Sequence, residues 1–134
     1  MIRRILPVCV TALVALCGVA WAATAGTYSG TSVLTISGVQ AKHPFSLTVK
    51  HGKVVDISLI AGSNCADLNG SAGVKANLTI SHTNTFSGTV RVNRFVLKFA
   101  GAFKGKVVTG SFAGTARGIS SSCPVPKNTF KATR

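Results

Sequence analysis

Val74, Ala76, Leu78 and Ile80 are separated by Lys75, Asn77, Thr79 and Ser81, and Phe86, Gly88, Val90 and Val92 by Ser87, Thr89 and Arg91. A period of two, with apolar and polar residues taking turns, predicts strands with one buried and one wet face. Phe95, Leu97 and Phe99 form the next inward set. Val, Ile, Thr and Phe are frequent, Gly or Asn clusters break the runs about every ten residues, and no stretch after residue 22 carries a helical period. The pattern predicts an all-β domain.

Turn residues predict pairings. Lys50-His51-Gly52 suits a three-residue hairpin loop. It would set Leu47 opposite Val55 and Phe45 opposite Ile57, all on one face. Asn93-Arg94 suits a two-residue turn that sets Val92 against Phe95, Val90 against Leu97 and Gly88 against Phe99, the Phe filling the space above the glycine. An aromatic-small-Gly-Thr unit occurs as Tyr28-Ser29-Gly30-Thr31, Phe86-Ser87-Gly88-Thr89 and Phe112-Ala113-Gly114-Thr115. Ring and glycine point to the same side, which reads as a packing device that permits sharp strand curvature. Residues 118–127, with Pro124, Pro126 and Cys123, predict a loop, and Thr129–Arg134 a last strand with Phe130 and Ala132 inward, pairing with the first strand around Tyr28 and closing the sheet. Eight or nine strands joined by tight turns must hide their edges. The expected fold is an antiparallel meander forming a flattened barrel, with a two-sheet β-sandwich as the alternative.

The first 22 residues read differently. Arg3 and Arg4 precede an apolar run from Ile5 to Ala20, and Ala20-Trp21-Ala22 is a small-x-small cleavage pattern, so 1–22 is expected to be a signal peptide and 23–134 a single β domain. The run is shorter than the roughly 20 residues that span a bilayer. Removing it takes away Trp21, Met1, Cys9 and Cys17. Cys65 and Cys123 remain, and two cysteines in an exported chain allow one internal pairing, a Cys65–Cys123 disulfide closing a loop of about 58 residues.

The order of motifs is also familiar. Gly26-Thr27-Tyr28-Ser29-Gly30 opens the domain, Cys65 and Cys123 follow, and Phe130-Lys131-Ala132-Thr133-Arg134 ends it. This resembles a loose group of small exported β-rich proteins of actinobacteria, which begin on Gly-x-Tyr-x-Gly and end on aromatic-x-Ala-x-Arg behind a second cysteine. The resemblance implies an exported β domain with one disulfide, and it points to no particular activity; Phe130 stands where Trp is more usual.

Charge is the unusual property. After residue 22 there are nine lysines and four arginines against Asp56 and Asp67, a net charge of +11. Extracytoplasmic anions include envelope polymers, lipid headgroups and nucleic acid, and cations attract them without regard to sequence. Arg91, Arg94, Lys98, Lys104, Lys106 and Arg117 fall in one stretch, and Arg91 and Lys98 share an outer face on the expected pairing, so these six form the candidate polyanion-binding patch. With Trp21 removed and most Phe inward, base stacking and sequence-specific nucleic-acid recognition are not expected.

Catalytic chemistry is sparse. Two aspartates offer poor odds of a facing carboxylate pair. His51 and His82 fall at turns and His43 precedes Pro44 at a strand start; no His-Glu-x-x-His or Cys-x-x-Cys occurs. Gly105 to Gly110 has phosphate-loop spacing, but Ser111 stands where lysine is required. A triad of Asp67, His82 and a serine has no Gly-x-Ser-x-Gly elbow to favour it. The expectation is a non-enzymatic, secreted or envelope-associated monomer without metal or cofactor, associating with anionic polymers or a membrane surface through its basic face. The alternative is a small apolar-ligand binder using the barrel interior.

Overall fold

A computed structural model describes residues 23–36, 38–62, 70–118 and 122–134. The expected signal peptide, Cys65 and Asp67 lie outside the described residues. Eight strands follow in order: β1 (Gly26–Ile36), β2 (Val39–Lys50), β3 (Lys53–Ala61), β4 (Gly70–Thr79), β5 (Thr85–Val92), β6 (Phe95–Lys104), β7 (Val107–Arg117) and β8 (Ser122–Thr133). They make one antiparallel sheet in the order β4-β3-β2-β1-β8-β7-β6-β5, curled into a nearly closed barrel, with no helix among the described residues.

The expected β1–β8 pairing is present, from Ser29 opposite Thr133 to Leu34 opposite Asn128. It sits in the middle of the sheet and does not close it. The seam falls between β4 and β5, neighbours in sequence that share no ladder. There the Leu78 side chain lies over Gly88: a Cβ on that glycine would stand 2.6 Å from Leu78 Cδ2. A leucine of the facing strand therefore fills the space expected for Phe99, although Gly88 does pair with Phe99. Aromatic filling does operate elsewhere, since a Cβ at Gly101 would meet the Phe86 ring at 2.6 Å and one at Gly110 the Phe130 ring at 2.6 Å.

An eight-stranded barrel is just wide enough for side chains to fill, and rings fill this one. Phe45 stacks on Phe130 with centroids 4.3 Å apart, Phe99 stacks on Phe112 at 5.2 Å, and Tyr28 meets Phe103 edge-on at 5.1 Å. Tyr28, Phe86 and Phe112, the three rings of the repeated unit, are all buried. At two of the unit's glycines a neighbouring strand takes the Cβ position: the Lys131 carbonyl oxygen would lie 2.0 Å from a Cβ on Gly30, and that of Val96 1.9 Å from one on Gly114. A side chain at either glycine would collide with the neighbouring backbone, so these two positions require glycine.

The β5–β6 hairpin has the expected register at all three pairs. The β2–β3 hairpin does not. His51 and Gly52 both have positive φ, 52° and 73°, which makes a two-residue turn with Lys50 opposite Lys53. A bulge then leaves Val55 unpaired between Val54 and Asp56, so Leu47 faces Ile57 instead of Val55. The bulge turns Val54 and Ile57 inward and leaves Val55 and Asp56 partly exposed.

Residues 122–127 are strand, not loop. They pair with β7 alone, because the β1–β8 ladder ends at Asn128. Pro124 and Pro126 thus lie on an unpaired edge, where the missing N–H is tolerated, while Cys123 and Val125 turn inward. His43-Pro44 likewise lies inside β2, not at its start, and beyond the point where β3 stops pairing at Ser46.

Candidate functional site

The chain order divides the barrel into two meanders, β1–β4 and β5–β8, joined by the β1–β8 ladder and the turn at 80–84. Both turn apolar side chains inward, but their charges differ. Residues 26–79 carry Lys42, Lys50, Lys53 and Lys75 against Asp56 and Asp67, whereas residues 85–134 carry four arginines and five lysines and no acidic side chain. The net charges are therefore +2 and +9.

Ladder pairing places the outward residues of β5–β8 in rows. Thr89, Lys98 and Ala113 form one; Ser87, Ala100, Ser111 and Thr129 form the next; Thr85, Ala102, Thr109 and Lys131 form a third. Apart from Val96, Val107 and the two prolines, this face presents cations, hydroxyls and alanines. The first two rows bound a furrow of ≈ 420 Å³ lined by Ser87, Thr89, Lys98, Ser111, Ala113 and Lys127. The sequence does not single out Lys127, because its segment, with Pro124 and Pro126, reads as a loop.

The six candidate residues do not form one patch. Arg91 and Lys98 do share the outer face, on adjacent rows. Arg94 and Arg117 come together at one end of the barrel, where the Arg117 N–H donates to the Arg94 carbonyl at 2.8 Å. Lys104 and Lys106 flank the Gly105 turn at the opposite end, beside Arg134, whose N–H donates to the Lys106 carbonyl at 2.9 Å. The ten residues of β6 separate Arg94 from that end, roughly 30 Å at the rise of a strand. The stretch that is continuous in sequence is split by strand direction, and Lys98 stands between the two clusters.

A second outer furrow, of ≈ 320 Å³, lies on the β2–β4 side and is lined by Ser46, Thr48, Ser58, Asp56 and Lys75. It is the other meander's counterpart with its charge cancelled: Lys75 Nζ lies 3.0 Å from Asp56 Oδ1. That is the one ion pair among the described residues. Lys75 is exposed and Asp56 about half-exposed, so the pair adds little stability.

His51 sits at the β2–β3 tip and His82 in the 80–84 turn. Among the described residues no three His, Cys, Asp or Glu side chains come together. Two polar side chains are buried in the apolar interior. Asn128 donates from Nδ2 to the Pro126 carbonyl at 3.1 Å, while its Oδ1 and the Ser32 Oγ meet no partner in the protein. Cys123 is buried; its expected partner lies outside the described residues. Comparison with family models, with curated proteins and with solved structures finds no match.

Proposed function

We propose that this is an exported, non-enzymatic β-domain protein that associates as a monomer with anionic envelope or extracellular polymers through the basic exterior of β5–β8. The observation that carries the reading is the charge division: nine cations and no acidic side chain in one meander, against four cations and two aspartates in the other. Attraction to a polyanion by such a face is sequence-independent and releases counterions. Export rests on the N-terminal pattern and on the resemblance to exported β-rich proteins.

The alternative, an apolar ligand held inside the barrel, is less well supported. Barrels of this strand number can hold one small molecule, yet stacked rings from both meanders occupy this interior. Retention on an immobilised polyanion at rising salt tests the reading. Elution is expected to move steadily with salt, and elution that ignores salt would overturn it.

A further inference from the structure

The exterior of β5–β8 is uneven. Lys98 pairs directly with Ala113, and Lys127 lies where β8 passes the same alanine through a register shift. β6 and β8 are two strand spacings apart, about 10 Å. Two ammonium groups therefore flank one small residue, along a furrow whose floor is Ala100 and Ala113 and whose far side carries the Ser87 and Ser111 hydroxyls. The furrow on the other meander has the same hydroxyl lining, but its ammonium is neutralised by a carboxylate at 3.0 Å. Small residues floor both furrows, Ser58 and Gly73 in the one and Ala100 and Ala113 in the other, so uncompensated charge is what sets the β5–β8 furrow apart.

We infer that this furrow is a subsite for an anionic glycan, with acidic groups held by Lys98 and Lys127 and sugar hydroxyls bonded to Ser87 and Ser111. The inference rests on the polyanion reading above and narrows it. Lysine ammoniums act as point charges with rotatable donors and accept anions that differ in geometry, unlike the planar fork of arginine. Serine hydroxyls both donate and accept, so they match a polyol. No aromatic ring is exposed on this face to stack a base, which disfavours single-stranded nucleic acid.

The test is fluorescence anisotropy of a labelled alginate oligomer with the purified protein across a salt series, with single-stranded DNA of matched charge as the competing class. The double variant Lys98→Ala/Lys127→Ala is expected to bind about tenfold or more weakly and to lower the slope of log K against log salt by about two. Lys42→Ala/Lys53→Ala removes equal charge from the other meander and is expected to weaken binding far less. Ala100→Leu keeps every charge but fills the floor, and is expected to weaken binding while the melting temperature holds. Equal losses in the two double variants would overturn the subsite and leave general charge attraction standing. An Ala100→Leu protein that binds normally would also overturn the subsite. DNA bound as tightly through Lys98 and Lys127 would overturn the glycan class, and absence of any binding by the parent would overturn both readings.

Discussion

The two meanders of this barrel share an interior and differ outside. Phe45 of β2 packs against Phe130 of β8 and Phe112 of β7, and Tyr28 of β1 against Phe103 of β6, so the core is built jointly. Outside, each meander offers a furrow lined by hydroxyls. In one, Asp56 pairs with Lys75; in the other, Lys98 and Lys127 face no carboxylate. Packing accounts for the interior, since its rings pack both within β5–β8 and across the two halves. It does not account for an exterior that puts +9 on one meander and +2 on the other. The fold tolerates many arrangements of exposed charge, so this division is where function is to be sought.

Breaking the shared interior should have the largest effect. Phe45→Ala removes a ring that contacts two phenylalanines of the other half and is expected to cost about 3–5 kcal/mol, seen as a lower denaturant midpoint with both meanders unfolding in one transition. Two separate transitions would mean that the halves are independent units. The next effect concerns a covalent link between them. If Cys65 and Cys123 are bridged, the bond joins the β3–β4 connection to β8, and Cys123→Ser or reduction is expected to cost about 2–4 kcal/mol. Peptide mapping without reductant checks the linkage, and an unchanged melting temperature under reductant would count against it.

Smaller changes sharpen the comparison. Ser32 lies on the ladder between the halves with its Oγ unpaired in an apolar interior. Ser32→Ala is expected to raise stability by about 1 kcal/mol, read as an increased midpoint at unchanged slope. The smallest effect belongs to the β2–β3 tip, where His51 holds a φ of 52°. Asn tolerates that region and Asn-Gly favours the two-residue turn, so His51→Asn is expected to add about 0.5 kcal/mol by thermal melting.

The hairpins show how far the sequence could be read. At β5–β6, strict alternation and the Asn93-Arg94 turn lead to the observed register. At β2–β3, the expected three-residue loop is a two-residue turn, and one extra residue at Val55 then reverses which face follows. The Val54-Val55 doublet in Lys53-Val54-Val55-Asp56-Ile57 interrupts the alternation, but either valine suits an inward position, so the run alone does not say which one the bulge leaves unpaired. Pro124 and Pro126 read as loop residues because their tolerance depends on an absent neighbour, a property of the sheet order and not of the segment. The furrow shares that difficulty. Lys98 is legible as an outward cation, but its partner Lys127 is brought beside it only by the β7–β8 ladder, across the register shift at Ala113.

The most direct measurement is lysine footprinting: acetylation rates at each lysine of the purified protein, with and without alginate oligomer at physiological salt. Protection is expected at Lys98 and Lys127 first, then at Lys104 and Lys131, with Lys42, Lys50, Lys53 and Lys75 reacting as they do alone. Protection spread evenly over both meanders, or confined to β1–β4, would contradict the assignment of function to the exterior of β5–β8.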